Sequence, residues 1–292
     1  MNLQKSLIKQ QKLTPYLFLL PAIALLGLTV FLPAMLAFAL SFTQMYDLTQ
    51  FPEWIGLANF RKLWQDKVFW QIAINTLLYL VGVVPILVIA PLGLAILVNQ
   101  KLRGINWFRT AFYAPVVISM IVAGIAWKAL YTQNGLLNQF LQQLGLAEGI
   151  PWLTDPKLAL WSVMVVTIWK GLGYYMVIYL AGLQSISTEL YEAAAIDGSD
   201  SWKKHLDITI PLMRPYLFLV AVISAISATK VFEEIYVMTK GGPGNSSKTV
   251  VYYLYDKAFG YDYDISYANT IGLVLFLSIL GLSIINLKLT NN

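Results

Sequence analysis

The sequence predicts an all-α integral membrane protein with six transmembrane helices, and three observations carry that expectation. Of its 292 residues, 58% are apolar and only 12% charged, with a mean hydropathy of +0.64, whereas soluble domains carry about a quarter charged residues. Six apolar stretches are each long enough to cross a hydrocarbon core of about 30 Å. Short basic connections alternate with loops of mixed charge, the asymmetry expected when positive loops stay on the cytoplasmic side. Cysteine is absent, which removes disulfide and thiolate chemistry. The net charge of +5 is spread over loops with no basic stripe interleaved with aromatics. It is therefore assigned to topology and lipid contact, and nucleic-acid binding is excluded.

The first span is expected over Pro15 to Ser41, after an acid-free segment holding Lys5, Lys9 and Lys12. A cleaved signal peptide would have an apolar region of only about 7 to 15 residues, so this reads as an uncleaved helix. Residues 42–70 carry Trp54, Trp64 and Trp70, as an interfacial loop on the far side would. The second span, Ile72 to Val98, contains Pro85 and Pro91 as kink positions. Asn99 to Arg109 has Lys101, Arg103 and Arg109 without an acid, which places it in the cytoplasm. A third span follows over Thr110 to Leu130. The far-side segment Tyr131 to Leu158 contains Gly135, Pro151 and Pro156, and a fourth span is expected over Ala159 to Leu183. The fifth runs from Tyr216 to Val237, and the sixth from Ser266 to Leu287, ending at Lys288. Both termini then lie in the cytoplasm. Lys240, Lys248 and Lys257 in the last far-side loop, Met238 to Ile265, are offset by Asp256, Asp262 and Asp264. The expected organisation is an N-terminal part, 1–70, holding the cytoplasmic segment, the first helix and its outer loop, and a core membrane domain, 71–292.

Between the fourth and fifth spans lies the longest strongly polar run of the chain, Glu192 to Pro211. Its Ala-rich start favours helix, Gly198 permits a bend, and Ser199 or Asp200 is a candidate cap for a second short helix. Pro211 and Pro215 mark the return to the membrane. Glu192-Ala193-Ala194, then Asp197-Gly198, nine residues, and Ile208-Thr209-Ile210-Pro211 together resemble the EAA loop of the membrane subunits of binding-protein-dependent ABC importers. The family's usual Leu before Pro is Ile210 here. The similarity extends to Trp107 to Pro115, Gly173 to Gln184, Val231 to Gly244, Val250 to Tyr253 and Tyr267-Ala268. These stretches look like the carbohydrate branch of the family, and like the first of its two permease subunits.

The resemblance implies a six-helix type I importer permease in the inner membrane of a prokaryote. It implies as partners a second permease subunit, an ATPase dimer docked on the loop at about 185–214, an extracytoplasmic solute-binding protein and membrane lipid. No cofactor is expected on this chain, which is not expected to be an enzyme; ATP and Mg would belong to the ATPase subunits. Glu192 would anchor the loop, Ala193 and Ala194 would keep its face small, Gly198 would bend it, and Asp197, Ile208 and Pro211 complete the motif. Transport would proceed by alternating access.

Gly242 to Thr249 approaches a phosphate-binding loop, with Ser247 where the second Gly should stand. Such a loop needs a preceding strand and a following helix, whereas this one follows a membrane span and reads as a Gly/Pro turn. Lys170 lies about 17 Å into the fourth span. At that depth a lysine costs about 2.5 to 3.5 kcal/mol on insertion scales, so it should face a cavity or a partner. Trp127, Trp169, Tyr174 and Tyr175 could stack on sugar rings, or pack as membrane aromatics do. Ser224, Ser227 and Asn75 are hydrogen-bonding candidates. Lys230 has Glu233 and Glu234 three and four residues on, which favours a local ion pair, and Lys128 can snorkel without a function. His205 is the only histidine and makes neither a metal site nor a triad. A secondary transporter would share the helices and buried charges but needs no such loop, and a membrane enzyme would need a convergent catalytic set.

Overall fold

The computed structural model describes residues 15–45, 51–100, 103–146, 149–199, 202–261 and 263–290, with side chains up to 284. Lys5, Lys9, Lys12, Lys101, Asp200 and Asp262 lie outside the described residues, as does the side chain of Lys288. In chain order the elements are α1 (Pro15–Leu40), β1 (Thr43–Gln44), β2 (Glu53–Trp54), α2 (Ala58–Gln65), α3 (Lys67–Val98), α4 (Ile105–Val117), α5 (Met120–Leu130) and α6 (Leu136–Gln143). Then come α7 (Ala159–Gln184), α8 (Thr188–Ile196), a π-helical turn His205–Thr209, α9 (Arg214–Thr229), α10 (Glu233–Met238), α11 (Val250–Phe259) and α12 (Ile265–Thr290).

The chain divides into two compact units, residues 1–65 with 257–274, and residues 66–256 with 275–292. In the first, α1 exposes Leu, Ile, Val and Phe along its length, as a helix bathed in lipid does. Gly27–Phe31 within it is a π-helical turn. Buried Asn59 on α2 ties the chain after α1 by donating to Ser41 O and Thr43 O at 3.1 and 2.9 Å. Thr270 Oγ1 on α12 also donates to Ser41 O, at 3.1 Å. Lys62 pairs with Asp264 at 2.7 Å and sits over the Tyr267 ring. β1 and β2 form a two-residue antiparallel ribbon with Thr43 opposite Trp54.

The second unit is built on the packing of α3 against α7. Asp66 starts α3 by accepting from Val68 N and Phe69 N, a capping arrangement that satisfies otherwise orphaned amides. Its other oxygen accepts from Tyr253 OH at 2.7 Å. Tyr79, Val83 and Leu87 of α3 meet Val163, Val166, Met176 and Tyr179 of α7 in a core that also takes Met213, Val220 and Ile235. Pro85 and Pro91 lie inside α3, which stays one 32-residue helix. Tyr179 OH donates to Val88 O near Pro91, and Arg109 closes the far end of α3 through two bonds to Val98 O.

Two spans depart from expectation. The third is not one helix from Thr110 to Leu130 but a pair, α4 and α5, bent by 100° at residues 118 and 119. Pro115 supplies no amide to the last turn of α4, Ile118 is extended, and Ser119 caps α5 by accepting from Val122 N. The fifth is interrupted between Thr229 and Glu233, so α9 and α10 share one 25-residue span, Arg214–Met238. With α4 and α5 counted as one, the described residues contain up to six candidate spans.

Candidate functional site

The interruption in the fifth span opens onto a cavity of about 620 Å³ within the second unit. From α7 it is lined by Thr167, Lys170, Gly171, Tyr174 and Tyr175, and from the end of α9 by Ser224 and Ser227. Lys230, Phe232, Glu233 and Glu234 come from the unwound stretch and α10, with Val83 and Leu87 of α3 behind. Positions 167, 170, 171 and 174 are i, i+3, i+4 and i+7, one face of a helix. Two cations and two carboxylates thus share a site whose remaining wall combines three hydroxyl side chains with apolar and aromatic ones, the make-up of a pocket for a polar solute with hydrophobic faces.

Of the seven residues expected along a solute path, the structure brings Lys170, Tyr174, Tyr175, Ser224 and Ser227 to this cavity. Trp169 instead packs edge-on against Trp127 at 5.5 Å, and Trp127 leans on Tyr131 at 5.4 Å. Asn75 is buried elsewhere and donates to Asn245 O and Lys248 O at 2.8 and 3.1 Å. Thr76 accepts from Val250 N. Asn75 thus binds the Gly242–Thr249 turn, and Thr76 the start of α11, to α3. That turn follows α10 and not a strand, contains a cis Gly242–Pro243 bond, and buries Ser247, whose hydroxyl donates to Gly242 O at 2.6 Å.

The expected pairing of Lys230 with Glu233 or Glu234 is not formed. Residues 230–232 lie outside the helix, which removes the i, i+4 register, and among the described residues no ion pair involves Lys230. Glu234 is instead 8% exposed and accepts from Thr167 Oγ1 at 3.0 Å, while Tyr79 OH meets Thr167 Oγ1 at 2.5 Å. This chain of bonds joins α3, α7 and α10. Thr167 and Tyr79 were not singled out from sequence, although the α7 face period would have flagged Thr167. Lys128 donates to Val237 O at 3.3 Å. Lys170 Nζ reaches the carbonyls of Pro115 and Val116 at 3.2 Å each, and that of Ile118.

The polar loop sits at the other end of α3 from the Gly242–Thr249 turn, and Asn75 and Asn99 are about 36 Å apart along the helix. Asn99 and Gln100 after α3 line a cavity of about 230 Å³ with Tyr191, Lys204 and His205 of the loop. Ser187 caps α8 by accepting from Glu189 N. Gly198 has φ +81°, the left-handed region that glycine enters without Cβ strain. Of the two cap candidates Asp200 lies outside the described residues, while the Ser199 hydroxyl bonds Asp207 Oδ2 at 2.5 Å; the π-helical turn, preceded by Lys204, has no side-chain cap. Glu192, Ala193, Asp197 and Gly198 are exposed, Ala194, Ile208 and Pro211 half-buried. Tyr191 OH and His205 Nδ1 both bond Thr209 Oγ1, at 3.0 Å. Burial and the neighbouring Lys204 push the His205 pKa below its ordinary value.

Fold and cavity together define a polytopic helical membrane protein with a polar chamber in its helical core and a helical handle at one end. Residues 55–288 match the family described as "Binding-protein-dependent transport system inner membrane component", and the chain belongs to that family. It is 36% identical to the lactose transport system permease protein LacF of Rhizobium radiobacter over 96% of this chain and 95% of that one. The arabinooligosaccharides transport system permease protein AraP of Bacillus subtilis (strain 168) is 34% identical over 99% and 92%. The trehalose/maltose transport system permease protein MalF of Thermococcus litoralis is 30% identical over 98% and 97%. Among solved structures, a chain of a bacterial ABC transporter involved in import of the acidic polysaccharide alginate shares the fold with TM-score 0.86 at 24% identity, covering 100% of this chain and 99% of that one. A chain of an alginate transporter solved with an alginate pentasaccharide-bound periplasmic protein matches with TM-score 0.81 at 25% identity, over 98% and 96%. This protein is therefore an inner-membrane permease component of a binding-protein-dependent transport system.

Proposed function

We propose that the chain is the permease subunit of an ATP-driven importer for sugars or oligosaccharides, working by alternating access beside a second permease subunit. The observation that carries the proposal is the handle. α8 and the turn at His205–Thr209, joined through Gly198, leave Leu190, Ile196, Trp202 and Leu206 exposed, Ile196 at 87%. Apolar side chains on a polar loop want a covering partner, and an ATPase dimer in the cytoplasm is that partner. ATP and Mg belong to those subunits. The loop then faces the cytoplasm with both termini, and the turn at Gly242–Thr249 faces a solute-binding protein.

Glu192, Ala193, Ala194, Asp197, Gly198, Ile208 and Pro211 form the docking surface and its bend. Lys170, Tyr174, Tyr175, Ser224 and Ser227 line the path. Tyr174 and Tyr175 cover the C–H faces of a sugar, and the serines meet its hydroxyls. The sugar class is supported by the lactose, arabino-oligosaccharide and trehalose/maltose permeases among the relatives.

The test is uptake and ATP hydrolysis in vesicles holding this chain with its companion permease, ATPase and binding protein. The panel is lactose, maltose, trehalose and arabino-oligosaccharides. Sugar-loaded binding protein should stimulate hydrolysis, and uptake should require every component. Uptake by this chain alone on an ion gradient would overturn the proposal.

A further inference from the structure

We propose that Lys170 is a two-seat clamp on the broken span: it holds the break between α4 and α5 at its present angle, and Glu233 and Glu234 are its second seat when that angle changes. The inference rests on the permease reading and adds a positioning residue to it. Non-helical backbone at membrane depth is tolerated only where its polar groups are satisfied. The last carbonyls of a helix lack intrahelical donors, and a 100° bend between Val117 and Met120 aims them away from the next turn. The ammonium of Lys170 supplies the missing donor to Pro115 O, Val116 O and Ile118 O.

Those three acceptors are neutral, so the charge itself has no counter-ion within ion-pair distance among the described residues. Glu233 and Glu234 line the same cavity as Lys170 and act on its charge. Their helix packs against α5, the second half of the broken span. Gly124 of α5 lies against Val237 and Met238 of α10, where a Cβ would meet their side chains at 3.4 to 3.5 Å, and Lys128 donates to Val237 O. A change in the angle of α5 therefore pulls on α10, and once the Thr167–Glu234 bond to α7 gives way both carboxylates shift relative to Lys170, which stays on α7. The clamp exchanges neutral carbonyls for a counter-charge as the span re-angles. Both seats satisfy the lysine, which is the requirement for a bistable element.

The chain has no cysteine, so Phe108→Cys and Ile125→Cys, both exposed positions on α4 and α5, accept one spin-label pair. A straight span would place them roughly 26 Å apart. Distances are read in the assembled complex in lipid nanodiscs, nucleotide-free and trapped with ATP and vanadate. Two distinct distances are expected with Lys170 present. In Lys170→Met the nucleotide-free distribution should broaden to include the trapped distance. Hydrolysis without binding protein should rise on the order of tenfold, equivalent to about 1.4 kcal/mol lost from the resting state. Lys170→Arg should restore both readouts. Glu233→Gln with Glu234→Gln should keep the resting distance under trapping.

A merely structural lysine would lower the yield of complex and leave distances and activity per complex unchanged, and that result, or a Lys170→Met complex indistinguishable from wild type, would overturn the clamp. A wild-type complex that ignores binding protein would instead overturn the permease reading.

Discussion

Gly198 is a position at which folding and the proposed coupling role can be tested separately. At φ +81° a side chain costs about 1 to 2 kcal/mol, yet nothing lies within 4 Å of a Cβ built there. Gly198→Ala should therefore assemble and transport with modest loss. Gly198→Trp should leave the chain folded while uncoupling it from the ATPase, read as lost sugar-stimulated hydrolysis; normal transport by that variant would remove the role of the bend. Asn75 sits in a different kind of position, its buried amide serving two carbonyls of the Gly242–Thr249 turn. Asn75→Leu strands both acceptors, at about 1 to 3 kcal/mol, and should lower the unfolding temperature of purified protein without changing which sugar is carried. His205 has a depressed folded-state pKa, so the native loop binds fewer protons than the unfolded chain. Its stabilisation is present above the ordinary histidine range and is lost as pH falls through the folded value. Protection factors for hydrogen exchange over residues 188–209, with the slower intrinsic exchange in acid divided out, should fall on acidification below about pH 6.5, and His205→Gln should flatten that dependence.

At the scale of elements, the crossing of α4 and α7 depends on the missing side chain of Gly173, where a Cβ would lie 2.0 Å from Phe112 O. The obstacle is backbone, so the helices must part. Gly173→Ala should cost about 1 to 3 kcal/mol as overpacking, measured as a lowered midpoint of thermal unfolding in detergent, and should disturb the lysine clamp one turn away. Gly93→Ala, with nothing within 4 Å, is the matched substitution that should pass unnoticed. The helices themselves were legible in sequence wherever an apolar run was long and uninterrupted, as for α3, α7 and α12. The two breaks were not. Pro115 announces weakness in a helix, but a proline inside α3 at Pro85 or Pro91 leaves that helix continuous. What parts α4 from α5 is the extended backbone at Ile118 and the fresh cap at Ser119, features that α3 lacks at its prolines.

Over the whole molecule, composition and hydropathy sufficed for the membrane class, because a bilayer admits few backbone arrangements and each demands a long apolar run. The polar loop was equally legible, since Glu192, Gly198 and Pro211 stand at fixed local spacing and a bend needs its glycine wherever the chain goes. The cavity was legible only in part. The face of α7 bearing Lys170 and Tyr174 follows from helical period, yet the same period did not separate Tyr175 at the cavity from Trp169 packed on Trp127. Glu234 was assigned to Lys230 by helical spacing, and unwinding at residues 230–232 gave it to Thr167 and Tyr79 instead. By itself the sequence determined the spans, the loop and its bend, since these depend on contacts within one element. The tertiary structure alone decided where spans break, which charges find partners and which side chains share a chamber. Those outcomes depend on donors and acceptors brought from distant parts of the chain.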